Sequence, residues 1–400
     1  MFWERKLDDW VSRMRAQAAL PLRLQLWNGR QFDLSTQTPE VTIRIPRPAA
    51  LSYLLNPSLD NLGRAYVEGK LDVEGHLRAI VEVANKLAER GFREGSRLGK
   101  LFTPRSHTRK QDAQAISYHY DVSNHFYQAF LDPAMVYSCA YFQHGDEDLA
   151  TAQQQKIDHI LTKIDLRPGH TLLDVGCGWG ALVIRAAQAF GARCIGITLS
   201  ENQLALASER VTALGLQDRI SLRLLDYRDM QGQFDRITSV GMFEHVGLKN
   251  LPLYFSKIRS LLADDGLAMN HGICTTNTDH ATARHGAGEF IEQYVFPHGE
   301  LPHIGTVLSS MQDGGLETLD VENLRRHYAR TCAIWAENFE RNDDKIRLLV
   351  DDKTYRIWRI YLAGCAHAFR HDWIALYQVV CSKAGRDAAS LRWSREYMYP

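Results

Sequence analysis

The stretch Leu172-Leu-Asp-Val-Gly-Cys-Gly-Trp-Gly180 decides the fold of this chain. It begins inside an apolar strand, continues through alternate glycines and leads into a helical pattern at residues 181–190. A strand that enters a helix through a glycine turn is typical of parallel α/β sheets, which bind ligands at the carboxyl ends of their strands. Glycine allows the backbone to turn tightly and to approach a ligand closely. The stretch therefore predicts a ligand-binding α/β domain.

Strands and helices alternate on both sides of this turn, which predicts the rest of the sheet. The expected strands are at residues 171–175, 194–199, 220–225, 234–240, 266–271 and 375–382. Repeated strand–helix units of this length form parallel sheets with helices on both faces. The last strand comes late, after helical patterns at residues 328–340 and 355–371. This layout is typical of a Rossmann-like methyltransferase sheet, mostly parallel with one reversed edge strand.

Two details of the glycine turn bear on its ligand. Gly176-x-Gly178-x-x-Ala181 loosely fits a dinucleotide pattern, but such sites carry an acid about 20 residues further on for the ribose. Residues 197–200 end the second strand without that acid. Asp174 instead precedes the glycines, where a carboxylate can organise the loop around the amino group of a sulfonium ligand. These features favour S-adenosylmethionine (SAM) over NAD, and a turn that binds nothing is the third alternative.

A different pattern precedes the α/β region and predicts a small α+β domain over residues 1–90. An amphipathic helix is expected at residues 3–20, with Trp10 on its apolar face. Three alternating strands follow it, at residues 22–27, 31–34 and 41–45. The turn dipeptide Asn28-Gly29 joins the first two as a hairpin, so we expect a small antiparallel sheet. Residues 91–115 are predicted to be a basic linker, either solvated or in contact with lipid headgroups, and residues 116–400 the catalytic domain.

Composition excludes several classes of protein. The 400 residues contain 47 Lys and Arg and 47 Asp and Glu, so no overall field attracts nucleic acid. Apolar runs are too short to span a membrane, and the charged beginning of the sequence is unlike a secretory signal. The 7 cysteines form no C-x-x-C pair and the 16 histidines form no H-E-x-x-H motif, so we expect no metal site and a reducing cytoplasm.

Several further motifs occur in order along the chain and carry a resemblance. They are residues 118–127 (Tyr-His-Tyr-Asp-Val-Ser-Asn-His-Phe-Tyr), 137–142 (Tyr-Ser-Cys-Ala-Tyr-Phe), 198–203 (Thr-Leu-Ser-Glu-Asn-Gln), 239–246 (Ser-Val-Gly-Met-Phe-Glu-His-Val), 291–299 (Ile-Glu-Gln-Tyr-Val-Phe-Pro-His-Gly) and 361–366 (Tyr-Leu-Ala-Gly-Cys-Ala). Over nearly its whole length the chain resembles the cyclopropane-fatty-acyl-phospholipid synthases and their relatives, the mycolic acid cyclopropane synthases. Residues 62–69 (Leu-Gly-Arg-Ala-Tyr-Val-Glu-Gly) resemble the small lipid-facing domain of the bacterial phospholipid enzymes.

The resemblance implies a reaction. SAM donates a methyl group to the cis double bond of a phospholipid acyl chain, and the resulting carbocation loses a proton and closes to a cyclopropane ring. A bound bicarbonate is implied as the base, held by Glu244, His271 and Tyr328 and by the backbone of Cys139 and Ile273. Cys365 matches a cysteine described as catalytic in the family, although an alkene substrate is itself the nucleophile and a helical cysteine among apolar residues usually packs.

The SAM contacts implied by the same motifs cluster around the predicted carboxyl ends of the strands. They are Tyr137, Ser138, Asp174, Gly176, Cys177, Gly178, Gly180, Thr198, Leu199, Ser200, Gln203, Arg228 and Asp229. Gln203 is expected at the ribose. Aromatic residues in the motifs, Tyr141 and Phe142 among them, are candidates either for the face of a carbocation or for core packing.

The implied partner is a phospholipid membrane. We expect a cytoplasmic enzyme associated with the inner face of the membrane through the N-terminal helix, with Trp3 and Trp10, and through the basic linker. A homodimer is one arrangement that the sequence leaves open. Two other functions also remain open: a SAM-dependent methyltransferase with a methyl-branched or N-methylated product, and a non-catalytic lipid-binding protein.

Overall fold

The computed structural model describes residues 2–17, 19–55, 57–91, 122–278, 288–295 and 300–399. The predicted basic linker lies outside the described residues except at Gly91. The strands are β1 (Leu22–Leu26), β2 (Gln31–Asp33), β3 (Val41–Ile45), β4 (Asp72–Gly75), β5 (Thr171–Val175), β6 (Arg193–Thr198), β7 (Ile220–Leu224), β8 (Phe234–Val240), β9 (Leu262–Thr275), β10 (Leu316–Asn323) and β11 (Ile374–Lys383). The helices are α1 (Phe2–Gln17), α2 (Leu51–Leu55), α3 (Leu59–Val67), α4 (Leu77–Gly91), α5 (Asn124–Gln128), α6 (Leu149–Lys163), α7 (Ala181–Ala189), α8 (Glu201–Ala213), α9 (Leu251–Leu261), α10 (Gly288–Tyr294), α11 (Ile304–Asp313), α12 (Arg325–Arg341), α13 (Asp343–Arg347) and α14 (Asp352–Arg370).

The chain forms two compact units. The first gathers Met1–Pro104, Ala281–Pro297 and Val350–His367, and the second gathers Arg105–His280, His298–Leu349 and Ala368–Pro400. The domain boundaries expected at residues 90 and 116 stay predictions. No helix in the described part of the chain is long and apolar enough to cross a membrane.

The first unit contains a four-stranded sheet in the order β2-β1-β3-β4. The predicted hairpin of β1 and β2 is present, but the expectation of a wholly antiparallel sheet was wrong, because β3 runs parallel to β1. The segment between β2 and β3 crosses the start of β1, where the N–H groups of Glu40 and Val41 donate to the Pro21 carbonyl at 2.8 and 3.1 Å. The short strand β4 is largely exposed and was not predicted.

Helix α1 contributes to the core of the first unit. Trp10 is only 4% exposed and packs in the same cluster as Leu7, Val11 and Met14. The expectation that Trp10 faces a bilayer is therefore corrected: its indole is already buried within the protein. The apolar periodicity that suggested a membrane-binding face instead reports packing onto the small sheet.

The second unit contains a seven-stranded sheet in the order β10-β11-β9-β8-β5-β6-β7. Strands β7, β6, β5, β8 and β9 are parallel. The last strand, β11, is antiparallel to both β9 and the edge strand β10. This confirms the prediction of a mostly parallel methyltransferase sheet with a reversal at one edge. The edge strand β10 itself was not predicted.

Helices cover both faces of the large sheet. Successive residues of β5 point to opposite faces, so Leu172 packs in one apolar cluster with residues of α6 and α7. Leu173 packs in the other cluster with residues of α9 and α11. Burial on both faces explains why β5 is an almost continuous apolar run in the sequence. The carboxyl ends of β5, β6, β7, β8 and β9 consequently meet at one edge, and most of the predicted site residues lie there.

Candidate active site

The glycine turn after β5 has the backbone geometry that its sequence predicts. Gly176, Gly178 and Gly180 have φ values of +84°, +54° and +83°. The N–H groups of Gly176 and Cys177 both donate to the carbonyl of Ile197, at 3.0 and 2.9 Å, which ties the turn to β6. A Cβ added at Gly178 would meet no atom within 4 Å. At Gly178 the turn therefore presents bare backbone to open space, as a close ligand contact requires.

The end of β6 holds the Gln203 side chain in place. The Thr198 hydroxyl donates to Gln203 Oε1 at 2.8 Å. Ser200 caps α8 by accepting the Gln203 N–H at 3.3 Å, and all three of these residues are buried. Because its oxygen is engaged by Thr198, Gln203 is left with its amide N–H groups to donate, which suits the hydroxyl groups of a ribose.

Arg228 and Asp229 lie in a single turn of 3₁₀-helix just after β7. The Arg228 guanidinium is held by both carboxylate oxygens of Asp226, with Nε–Oδ1 at 2.9 Å and Nη2–Oδ2 at 2.7 Å. The Leu225 N–H donates to the Thr198 carbonyl at 3.0 Å, which brings this turn next to the end of β6. The structure thus places the residues after β5, β6 and β7 along one edge of the sheet.

Asp174 is a buried acid at the end of β5, only 3% exposed. Its Oδ1 accepts the Thr238 hydroxyl of β8 at 2.7 Å. Burial raises the pKa of Asp174 to about 6, opposed by the hydrogen bond from Thr238 and by the positive charge of Lys156. Neither Thr238 nor Lys156 was predicted as a site residue, since no motif marks them and both reach Asp174 from other elements.

Two helices hold the Tyr137–Ser138 motif. Helix α6 contributes Gln153, whose Nε2 donates to the Ser138 carbonyl at 2.8 Å. Helix α12 contributes Thr331, whose hydroxyl accepts the Ala140 N–H at 3.1 Å. The motif is therefore an irregular segment whose backbone is fixed by side chains from both helices.

Aromatic rings connect this motif with Tyr328 on α12. The Tyr137 ring lies 5.1 Å from Trp335, and Trp335 lies 5.9 Å from Tyr328, centroid to centroid. Trp335 is buried, at 2% exposed, and was not predicted. Tyr141 is instead stacked between His159 at 4.3 Å and His327 at 4.8 Å. Both faces of the Tyr141 ring are covered, which favours the packing alternative for this residue.

Glu244 and His271 lie at the same edge of the sheet: Glu244 just after β8, and His271 on β9, beside the last residue of β8. Glu244 is 8% exposed, and its Oε1 accepts the Ile273 N–H at 2.7 Å. Glu244 Oε2 and His271 Nε2 are buried and have no hydrogen-bond partner among the described residues. Burial raises the pKa of Glu244 to about 7 and lowers that of His271 well below its usual value, so the imidazole is neutral. Such orphaned buried atoms call for a ligand or water that satisfies them.

A family model described as mycolic acid cyclopropane synthetase matches residues 107–379. The chain belongs to this family. A second model, a domain of unknown function (DUF7884), matches residues 10–96.

Relatives span most of the chain. A protein of Pseudomonas putida named "probable fatty acid methyltransferase" is 50% identical over 383 residues, covering 95% of this chain and 96% of that protein. The "cyclopropane-fatty-acyl-phospholipid synthase" of Escherichia coli K12 is 35% identical over 351 residues, covering 85% and 87%. The crystal structure of "mycolic acid cyclopropane synthase CmaA1 complexed with SAH and CTAB" has a TM-score of 0.65 and 35% identity, covering 68% of this chain and 98% of that chain. The chain is thus a SAM-dependent methyltransferase of the cyclopropane synthase family.

Burial disfavours the thiolate form of Cys139 and Cys365, two of the cysteines named from the family motifs. Burial raises the pKa of Cys139 far above its usual range, and this residue is fully buried in the second unit. Cys365 lies on α14 in the first unit, and burial raises its pKa to about 12. A thiol that stays protonated is a poor nucleophile, which agrees with a packing role for both side chains. The role of Cys365 in the family reaction stays a prediction.

Among the described residues, no group of three or more His, Cys, Asp or Glu side chains could hold a metal ion.

Proposed function

We propose that this enzyme converts the cis double bond of an unsaturated phospholipid acyl chain into a cyclopropane ring, with bicarbonate as the base. Two buried polar atoms without a hydrogen-bond partner among the described residues, Glu244 Oε2 and His271 Nε2, carry the proposal. Ring closure needs a base next to the methyl donor, because the newly added methyl group must lose a proton from its carbon. Transfer to an amine or hydroxyl also releases a proton, but from the nitrogen or oxygen of the substrate, so it does not call for a base at the methyl group itself.

An alkene is a weak nucleophile, so the chain must exclude water and hold the double bond in line with the methyl group. SAM supplies the methyl group as a sulfonium electrophile. The rings of Tyr137, Trp335 and Tyr328 contact one another in turn and link the motif predicted to hold SAM with the predicted catalytic Tyr328. Aromatic faces of this kind stabilise a nearby cation by about 1–2 kcal/mol per ring when water is excluded.

Residues at the ends of β8 and β9 fit a small oxyanion. His271 is neutral and presents an unsatisfied ring nitrogen, and Glu244, with a pKa raised to about 7, is partly protonated at neutral pH and can donate. Bicarbonate, which accepts and donates hydrogen bonds, would supply a base that takes the proton from the added methyl group. The Ile273 N–H already donates to Glu244, so in this arrangement the Ile273 backbone orients the carboxyl group.

The second candidate is a methyltransferase that leaves a methyl branch on a fatty acyl chain. The name of the Pseudomonas putida relative, 50% identical over 95% of this chain, favours it. The two products differ in atoms. Ring closure adds CH₂ and removes the alkene without any reductant, whereas a saturated methyl branch adds CH₄ and needs a hydride donor.

We also propose that the enzyme is cytoplasmic and works at the inner face of a membrane, because its substrate chain lies in a bilayer. The basic segment at residues 91–115 supports this, since each Lys or Arg near an anionic surface contributes about 1 kcal/mol.

The test is to incubate the full chain with SAM and vesicles of an unsaturated phospholipid, with and without added bicarbonate in degassed buffer. We expect fatty acids that have gained CH₂ and lost the alkene, formed faster with bicarbonate. Vesicles of the saturated lipid are the control. A CH₄ adduct formed only with a hydride donor would establish the second candidate, and equal rates with and without bicarbonate would exclude this base.

A further inference from the structure

Lys156 of helix α6 is a buried cation, only 2% exposed. Lysine is almost never buried unless it is paired, because removing the ammonium from water is costly. In the part of the chain that the structure describes, Lys156 makes no ion pair. Its one hydrogen bond to a described residue runs from Nζ to the Ser138 hydroxyl oxygen, at 2.7 Å. Lys156 therefore carries a positive charge that the described residues leave uncompensated by a direct partner.

A second buried lysine on the same helix, Lys163, has its charge balanced by two carboxylates. Lys163 is 0% exposed and pairs with Asp320 at 2.6 Å and with Glu322 at 2.9 Å. No carboxylate within the described ranges forms such an ion pair with Lys156. Asp132 and Asp174 are close enough to raise the pKa of Lys156, but burial outweighs them and lowers it to about 8.

The two nearby acids are engaged elsewhere. Asp132 accepts the backbone N–H groups of Ala134 and Val136, at 2.9 and 2.8 Å. Asp174 accepts the Thr238 hydroxyl. Among the described residues neither carboxylate forms an ion pair with Lys156, so each acts on its charge only from a longer distance. The described residues thus leave Lys156 without an anionic partner at ion-pair distance, and an anionic group of a ligand would supply one.

Ser138 is the side chain through which Lys156 can act on such a group. A hydroxyl has one proton to donate, and because Ser138 Oγ accepts from Lys156, that proton is free for another acceptor. Gln153, one turn before Lys156, fixes the Ser138 backbone by donating to its carbonyl. The Ser138 hydroxyl is therefore a hydrogen-bond donor on a fixed backbone, and it is polarised by the ammonium group of Lys156.

We propose that Lys156 is a positioning residue for SAM, which directs the Ser138 hydroxyl toward the carboxylate of the methionine part of SAM. That carboxylate is the one anionic group of SAM; the sulfonium and the amino group are positive. A charge-assisted hydrogen bond to it is about twice as strong as a neutral one. The inference rests on the predicted SAM contact of Ser138, not on the lipid product.

The test compares two ligands by isothermal titration calorimetry on the full chain without lipid. One is S-adenosylhomocysteine (SAH), and the other is its decarboxylated analogue, S-adenosyl-3-thiopropylamine. Lys156→Met is expected to weaken SAH binding by about 10- to 100-fold and to leave the Kd of the decarboxylated analogue within about 2-fold of wild type. Ser138→Ala should show the same selectivity, and the double variant should lose little more than Lys156→Met alone.

Lys163→Met is the matched control, since it removes a buried lysine from the same helix. It should lower Tm and leave the Kd for SAH unchanged. Wild-type affinity of Lys156→Met for SAH, or equal weakening of both ligands, would overturn the proposal and make Lys156 a packing residue. If Lys156→Met does not fold, Ser138→Ala decides in the same way: a loss confined to SAH supports the proposal, and unchanged SAH affinity refutes it. Because no lipid is present, these results are independent of the product the enzyme makes.

Discussion

Replacing Glu244 by Gln tests two properties of this residue separately: its part in proton transfer and its effect on the free energy of unfolding. The amide has the shape of the carboxyl group, and its oxygen can still accept the Ile273 N–H, which lies 2.7 Å from Oε1. It cannot gain or lose a proton. We therefore expect Glu244→Gln to bind SAH normally and to lower kcat by about 10²–10⁴, the range typical of lost acid–base chemistry.

The effect on stability follows from the pKa of Glu244, which burial raises from 4.5 to about 7. The folded protein holds the proton of Glu244 more tightly than the unfolded chain does, so protonation of this group favours folding. This contribution to stability is complete below the pKa of the unfolded chain, and it is lost as the pH rises through the pKa of the folded protein. At 1.36 kcal/mol per pKa unit, the loss between about pH 4.5 and about pH 8 is about 3 kcal/mol. The amide loses nothing over this range.

The assay is urea unfolding of wild type and Glu244→Gln at several pH values. The stability of the variant relative to wild type should rise by about 3 kcal/mol across the range, whatever the offset caused by the new amide. Glu317→Gln, at an exposed position on β10, is the control and should show no such trend. A pH-independent difference for Glu244→Gln would refute the burial argument, and wild-type turnover would refute the catalytic role.

Three further predictions address the other parts of the site. Gly178→Val should abolish SAH binding, because the valine side chain would enter the space of the ligand. Gly215→Val is the control, since Gly215 has a similar φ (+65° against +54°) and equally open surroundings. It should lower the stability by a similar amount and leave SAH binding intact. His271→Ala should lower kcat by about 10²–10⁴ with unchanged SAH affinity, and turnover near wild type would remove His271 from the mechanism. Neutralising the basic residues of the linker should weaken co-sedimentation with anionic vesicles at low salt, while equal sedimentation of both proteins at low and high salt would make the segment a simple connection. Those residues are Arg93, Arg97, Lys100, Arg105, Arg109 and Lys110.

The central strands could be predicted because their burial leaves a local signal. Strand β5 is covered on both faces and reads as an apolar run that ends in glycines. Strand β10 lies at the edge of the sheet; most of its residues are polar, and most are at least partly exposed. Strand β4 is short and largely exposed. Neither strand therefore has a distinctive hydrophobic pattern in the sequence. The parallel pairing of β1 with β3 depends on where the connecting segment returns, which local periodicity does not encode.

In the candidate site, too, some residues could be predicted from the local sequence and others could not. Gly178 could be predicted because its φ of +54° favours glycine, and Asp174 because it is a lone acid within an apolar strand directly before the glycines. Lys156 and Thr238 were missed because each acts on a residue outside its own helix or strand: Lys156 on Ser138, 18 residues away, and Thr238 on Asp174, 64 residues away. Only the packing of α6 and the pairing of β8 with β5 bring these groups together.

The most direct test of the proposed reaction uses SAM with a fully deuterated methyl group and vesicles of an unsaturated phospholipid. Mass spectrometry of the fatty acids then counts the deuterium atoms transferred. Ring closure predicts a product without an alkene that retains two of the three deuterium atoms, because one is lost as the ring forms. A product that retains all three would contradict the account, since the added methyl group would have lost no proton and the enzyme would be a simple methyltransferase.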